Sequence, residues 1–204
     1  MLTDEERRLL LGVPGDADSL VRHYTFTQSD QDLVGHCRGA ANRLGFAVQL
    51  ALLRHPGRAL PNMDEPVDAL VAWLAAHLEL PVAAFTEYAR RPQTMTDHAR
   101  FLADTTGMRP AVSADLPFMI EAAAQCAWGT DRGQPIVAGI IAALLANKII
   151  LPAPAVIERA AIAGRARARK CATDALLAGV PPEQMTKIDK LLTVDMSTVS
   201  SLAG

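Results

Sequence analysis

The sequence has few cysteines, few aromatic residues and no large excess of charge of either sign. Its 204 residues include three cysteines, Cys37, Cys126 and Cys171, which lie far apart and form no CxxC pair. This spacing argues against a disulfide framework or a thiolate zinc site, and it suits free thiols in a reducing compartment. Aromatic residues make up 4% of the chain, and β-branched runs are scarce, which disfavours a β-sandwich or β-barrel.

Charge and hydropathy exclude further classes of protein. The formal net charge is −2, so a uniformly basic surface is excluded and any basic footprint for nucleic acid has to be local. The longest apolar run, residues 135–146, is shorter than the roughly 20 residues that cross a bilayer. The polar start of the chain is unlike a signal peptide. We therefore expect a soluble intracellular protein with no membrane partner.

Alanine and leucine are abundant instead, with 36 and 25 copies, and their spacing predicts an all-α protein. Thr3 and Glu6 form a capping-box pattern, and Thr130 or Asp131 is expected to cap a strongly apolar helix from Gln134. A short helix is expected around Phe85 and Tyr88. The other predicted helices span about residues 3–11, 18–24, 30–39, 40–54, 66–80, 94–107, 113–128, 134–147, 155–177 and 183–192, with an unstructured end at 193–204.

The sequence contains no recognisable catalytic or metal-binding constellation. It has no GxSxG, Walker, HExxH or GxGxxG motif, and its five histidines are scattered. Its carboxylates lie mostly at helix starts, where they cap the helix or face its dipole. We therefore expect no catalytic residue, no metal, no cofactor and no small-molecule substrate.

Residues 38–58, RGAANRLGFAVQLALLRHPGR, carry a pattern typical of DNA binding. At about 100° per residue, Asn42, Gly45 and Gln49 fall in one stripe of the 40–54 helix, and Arg38 extends that stripe. Asparagine and glutamine read adenine edges, and arginine reads guanine. With the preceding helix, the segment predicts a helix-turn-helix-like pair, and an ordinary surface helix is the alternative. Phosphate contacts are predicted for Arg43, Arg54 and Arg58.

A second basic cluster, GRARARK at residues 164–170, holds Arg165, Arg167, Arg169 and Lys170 without an acidic residue. Phosphate contact is one interpretation of this cluster, and a solvated helix surface with alanines packed inward is the other. Arg132 and Lys148 are expected to add a further footprint in the same half of the chain. Both tryptophans, Trp73 and Trp128, lie in amphipathic helices, where core packing is the favoured interpretation and base stacking is the alternative.

The string ANRLGFAVQLALLRHPGRAL at residues 41–60 resembles the N-terminal region of the transposases of class II replicative transposons, the Tn-three family. Further matching motifs are LTDEE at 2–6, LVRHY at 20–24, TDRG at 130–133 and ILPAP at 150–154. The resemblance implies an all-helical DNA-binding region, similar to tandem helix-turn-helix modules, that recognises the terminal inverted repeats of a transposon. It also implies that the recognition segment contains Arg38, Asn42, Arg43, Gln49, Arg54 and Arg58.

We accordingly expect a first helical DNA-binding module at residues 1–92, a second at 93–162, and a long basic helix with a C-terminal linker at 163–204. The metal-dependent DDE catalytic core of the family lies C-terminal to this sequence, so we expect a non-catalytic part of a transposase. Its expected partner is double-stranded DNA in the bacterial cytoplasm, at the nucleoid.

Two alternatives stay open at this point. One is a helical interaction module that assembles a transpososome or inhibits a full-length transposase, with that transposase or a second copy of the chain as its partner. The other is a decayed gene remnant.

Overall fold

The computed structural model describes residues 2–192, and within them the protein is all-α, as the sequence predicts. The helices are α1 (Asp4–Leu11), α2 (Ala17–Tyr24), α3 (Gln28–Gly35), α4 (Ala40–Arg54), α5 (Asp68–His77), α6 (Ala83–Ala89), α7 (Pro92–Thr106), α8 (Leu116–Ala127), α9 (Gly133–Ala146), α10 (Pro154–Leu177) and α11 (Pro182–Leu192). Short parallel strands, β1 (Arg109–Pro110) and β2 (Ile149–Ile150), form a small sheet that the sequence pattern did not predict. The end predicted as unstructured, 193–204, lies outside the described residues.

Capping boxes fix the starts of two early helices. The Thr3 side chain accepts a hydrogen bond from the Glu6 N–H at 3.1 Å, and the Glu6 carboxylate accepts one from the Thr3 N–H at 2.8 Å. Thr27 and Asp30 repeat this arrangement at the start of α3. Because this second box begins the helix at Gln28, α3 spans 28–35 and not the predicted 30–39.

The first hydrophobic cluster is built around α4. Apolar residues occupy almost every position of this helix, and α2, α3, α5, α6 and α7 all pack against it. Gly45 allows the close approach of α6, because a Cβ at this position would lie 2.1 Å from ring atoms of Tyr88. Helix α4 is therefore enclosed by its neighbours, and most of its residues, including Gly45 and Gln49 of the predicted DNA-reading face, are buried.

The second hydrophobic cluster is formed by α8, α9 and α10, together with α1 from the start of the chain. Leu2 and Leu11 belong to this cluster, and the Arg7 guanidinium donates to the Glu158 carboxylate of α10 at 2.9 Å. Gly164 lets α10 approach α8 closely, because a Cβ there would lie 2.3 Å from the Ala123 Cβ. The cationic segment of α10 is thereby held at a fixed position beside α8.

Backbone and side-chain contacts join the two clusters. The Leu151 N–H donates to the Gly57 carbonyl at 2.9 Å, and Ile150 packs into the first cluster. The packing also groups two helices differently from the predicted boundary at residue 92, because α7 adds Leu102 to the first cluster while α1 packs with the second. The division into two DNA-binding modules stays a prediction.

None of the helices of residues 2–192 is both long enough and apolar enough to cross a membrane.

Candidate nucleic-acid interface

The predicted base-reading stripe of α4 faces the protein interior. Gln49 is only 5% exposed, and its amide Nε2 donates to the Tyr88 hydroxyl at 2.6 Å and to the Met95 carbonyl at 3.0 Å. Asn42 is half-buried with a buried Oδ1, and Gly45 contacts Tyr88. The prediction that Gly45 and Gln49 lie on the surface is wrong, because α6 and α7 cover them. A base edge cannot reach Gln49 in this arrangement.

Two arginines of the same segment are held by internal partners. The Arg58 side chain is almost fully buried, and it donates to the carbonyls of Leu11 and Asn62 and pairs with Asp64. Burial lowers the pKa of Arg58 below its ordinary value. Arg54 pairs with the buried carboxylate of Asp30. Both arginines thus serve the packing of the protein, Arg58 through its buried contacts and Arg54 between α3 and α4, and a phosphate contact by either stays a prediction.

Arg38 and Arg43 lie near the turn between α3 and α4. Arg38 is exposed, and within residues 2–192 its side chain has no hydrogen bond or ion pair. Arg43 is half-buried, and its Nε has no hydrogen-bond partner in the described part of the chain. Gly39, in this turn, has a positive φ of 81° that favours glycine. Of the first predicted recognition segment, Arg38 is thus the most accessible cation.

A basic surface forms where the loop between α8 and α9 meets α10. The Arg169 guanidinium donates to the Asp131 carboxylate, and the Arg165 Nη1 donates to the Asp131 carbonyl at 3.3 Å. Arg132 is exposed beside them, and its side chain has no partner within the described range. Residues separated by more than 30 positions thus meet at one place. We call the set Trp128, Asp131, Arg132, Arg165 and Arg169 the Asp131 patch.

The geometry of α10 explains how its cations divide. Arg165 and Arg169 are four residues apart, so they lie on the same side of the helix and face the 128–132 loop. Arg167 points elsewhere and forms an ion pair with Glu121 of α8, with an N–O distance of 3.0 Å. The cations of this cluster therefore face different directions, although two of them converge on Asp131.

Asp131 is not the helix cap that the sequence suggested. Helix α9 starts at Gly133 after Arg132, with no side-chain cap, and the Asp131 carboxylate is used by Arg169 instead. The hydrogen bond from Arg169 lowers the pKa of Asp131, so this carboxylate stays ionised and keeps Arg169 in place. Arg165 donates only to the Asp131 carbonyl, although its charge also acts on the Asp131 carboxylate, and Arg132 contacts no acid in the described residues, so neither forms an ion pair there.

Trp128 lies on the surface, which the sequence pattern does not predict. It is 62% exposed at the end of α8, whereas the sequence interpretation placed it in the core. Trp73, by contrast, is half-buried against the first cluster, as expected. The amphipathic pattern of α8 does not reveal this difference, because Trp128 follows the last residue of the helix and escapes its inward face.

Lys148 lies apart from the Asp131 patch. It is exposed just after α9, with a φ of 54°, whereas Arg132 precedes the first residue of that helix. The 14 residues of α9 separate the two by about 20 Å. Among residues 2–192, no group of three or more His, Cys, Asp or Glu side chains is arranged to hold a metal ion.

The sequence comparisons agree with the resemblance noted above. Residues 1–164 match a family model described as a domain of unknown function, DUF4158. Over all 204 residues the chain is 36% identical to the transposase for transposon Tn3926 of Escherichia coli, covering 21% of that protein. It is 36% identical over 192 residues to the transposase for transposon Tn501 of Pseudomonas aeruginosa, covering 94% of this chain and 19% of that protein.

A more distant relative comes from another bacterial group. The transposase for transposon Tn1546 of Enterococcus faecium is 28% identical over 193 residues, covering 95% of this chain and 20% of that protein. The chain therefore spans about one fifth of the length of the curated relatives that it matches. The predicted resemblance to transposases is confirmed.

Proposed function

Because the chain belongs to the DUF4158 family, and because its relatives are transposases, we propose that it binds double-stranded DNA at the terminal inverted repeats of a transposon. In this proposal it is a non-catalytic part of a transposase. It positions the DNA ends, and the chemistry of transposition is carried out elsewhere. No cofactor takes part in this role.

The Asp131 patch is the observation that carries the proposal. Arginine forks donate two hydrogen bonds to phosphate oxygens, and guanidinium groups at fixed positions contact the DNA backbone with little loss of side-chain freedom. Asp131 orients Arg165 and Arg169, whose Cα atoms lie about 6 Å apart along α10. Arg132 adds a third cation beside them. A local footprint of this kind is compatible with the net charge of −2.

Three further exposed cations extend the proposed contacts to other parts of the surface. Arg167 lies on a neighbouring side of α10, Arg38 lies in the turn before α4, and Lys148 follows α9. We propose that they contact phosphates and set the affinity for DNA of any sequence. Base reading by Gln49 has no place in this proposal, since α6 and α7 cover its side chain. Base reading by Asn42, which is half-buried at the start of α4, stays a prediction.

Fluorescence anisotropy with a labelled duplex carrying the terminal inverted repeat, beside a scrambled duplex, tests the proposal. The variant Arg132→Gln/Arg165→Gln removes from the Asp131 patch the two arginines that form no ion pair within the described residues. Arg90→Gln/Arg91→Gln is the matched control, because these arginines are exposed at the α6–α7 junction, and within residues 2–192 their side chains have no ion-pair partner.

We expect the patch variant to bind both duplexes more weakly. The slope of log K against log salt is negative, and its magnitude should decrease by roughly 1.8, since each lost phosphate contact contributes about 0.9. The control should keep the affinity and the slope of the unaltered chain. Equal effects of the two variants on DNA binding would refute the role of the Asp131 patch in that binding. Equal affinity for repeat and scrambled DNA at moderate salt would refute recognition of the repeat.

One observation favours the second candidate function, an interaction module for transpososome assembly. Leu176 and Leu177 at the end of α10, and Ile188 on α11, are exposed, and such side chains are common at contacts between proteins. Light scattering separates the two candidates. A stable oligomer that shifts no DNA would support the interaction module, whereas a monomer that binds the repeat would support the DNA-binding proposal.

A further inference from the structure

Trp128 presents a large aromatic surface to solvent within a cationic surrounding. Its side chain is 62% exposed, and among residues 2–192 no aromatic ring stacks on its indole. Exposed tryptophan is uncommon in folded domains, because burying an indole in the core or in an interface is favourable. The position therefore points to a ligand that covers the ring.

The surrounding charges restrict the chemistry of that ligand. Trp128 is three residues from Asp131, so at most about 11 Å of extended chain separate their Cα atoms. Asp131 in turn holds Arg165 and Arg169, and Arg132 follows directly. A flat apolar ring within a few residues of Asp131, on which several guanidinium groups converge, matches a ligand that alternates flat aromatic rings with negative charges, which is the chemistry of a nucleic acid strand.

The state of the DNA follows from the geometry of stacking. Inside a duplex, each base has both faces covered by its neighbours, so an indole gains nothing by approaching them. A base face is open only where a base is unpaired or where a duplex ends. Stacking on such a base is favourable and tolerant of sequence, because every base has a π-face.

We propose that Trp128 stacks on an unpaired base or on the last base pair of a DNA end, while Arg132, Arg165 and Arg169 hold the adjoining phosphates. This inference rests on the proposed function and deepens it. The patch binds duplex DNA through its arginines and distinguishes DNA ends from continuous duplex through Trp128.

The intrinsic fluorescence of the full chain tests this proposal. Trp73→Phe leaves Trp128 as the single tryptophan, so its emission reports contact with a base directly. Two DNA probes share one duplex sequence that carries the repeat. The first probe is a relaxed, covalently closed circular duplex, which has neither an end nor an unpaired base, and the second is the same duplex opened at one position to leave five-nucleotide single-stranded overhangs.

We expect the overhang probe to quench Trp128 emission and to bind at least about fivefold more tightly than the closed probe, the smallest gain typical of one stacked base. Trp128→Ala should abolish that preference while leaving affinity for the closed probe intact, and Trp128→Phe should retain most of the preference. Because Trp128 is exposed, both variants should keep the unfolding temperature of the unaltered chain, which serves as the folding control.

Two results would overturn the proposal. The first is binding of both probes with unchanged Trp128 emission, and the second is a preference for the overhang that persists in Trp128→Ala. In both cases DNA binding itself survives. Failure to bind either probe has a different meaning, because it contradicts the proposed function together with this inference.

Discussion

The contact between α8 and α10 at Gly164 offers a demanding test of the packing. In the substitution Gly164→Ala, the new Cβ would lie 2.3 Å from the Ala123 Cβ, 2.6 Å from the Ile120 carbonyl oxygen and 2.8 Å from the Ala124 nitrogen. All three distances are shorter than a van der Waals contact. Two of the three atoms belong to the main chain of α8, so no side-chain rotation relieves the overlap, and the helices have to move apart.

The magnitude follows from two opposing contributions. Alanine is favoured over glycine in a helix interior by about 1 kcal/mol. Overpacking of a close-packed core costs roughly 1–3 kcal/mol, and the main-chain obstacle places this site at the upper end. We therefore expect a net loss of about 2 kcal/mol in the free energy of unfolding. For a protein of this size that loss lowers the melting temperature by roughly 4–8 °C.

Thermal and urea unfolding measure this loss, and Gly35→Ala provides the matched control. Gly35 is also helical, and a Cβ there would meet nothing within 4 Å, so its substitution should leave the chain unchanged or slightly more stable. Equal melting temperatures for the two variants would refute the close approach of α10 to α8. Because Arg165 and Arg169 follow directly on α10, Gly164→Ala should also weaken DNA binding through the Asp131 patch.

Two further predictions concern buried polar groups of the first half of the chain. Arg54→Gln leaves the buried Asp30 carboxylate with only its Thr27 contacts, so we expect the free energy of unfolding to fall by about 2–4 kcal/mol. The double variant Arg54→Gln/Asp30→Asn should recover part of this loss. Weaker DNA binding at unchanged stability would contradict the structural role of Arg54. Burial, together with the charge of His23, lowers the pKa of His55 to about 4 from its ordinary 6.5, so the unfolded chain takes up a proton first as the pH falls. The stability that His55 contributes should therefore decline between pH 6.5 and 4 and change no further below pH 4, by about 1–2 kcal/mol after discounting for partial solvent screening. The same decline of the urea midpoint in His55→Gln would show that another group is responsible.

Helix positions were largely predictable because they depend on local signals. Helix α4 spans residues 40–54, as the apolar pattern and the Pro56–Gly57 stop indicate, and the Thr3 capping box forms as expected. The start of α5 was less predictable, since Asp64 and Pro66 suggested an earlier beginning than Asp68. Local turn chemistry determines such ends less strictly than a capping box does.

The candidate site was less predictable because it depends on long-range contacts. Gln49 resembled a surface residue on α4, and its partners Tyr88 and Met95 lie on the later α6 and α7. Helical periodicity cannot distinguish a solvated amide from a buried amide with such distant partners. The meeting of Asp131 with Arg165 and Arg169 depends on the packing of α10 against α8, so the separate basic residues were visible in the sequence but their convergence was not.

The packing of α1 has a consequence for how the chain folds as it is synthesised. Leu2 and Leu11 belong to the same cluster as Ile157 and Ala161, and Arg7 contacts Glu158. Helix α1 therefore has to wait for about 150 further residues to be synthesised before Ile157 and Glu158 exist. Contacts of such large sequence separation form slowly. Helix α1 therefore stays accessible to proteases and chaperones until the second cluster has formed around it.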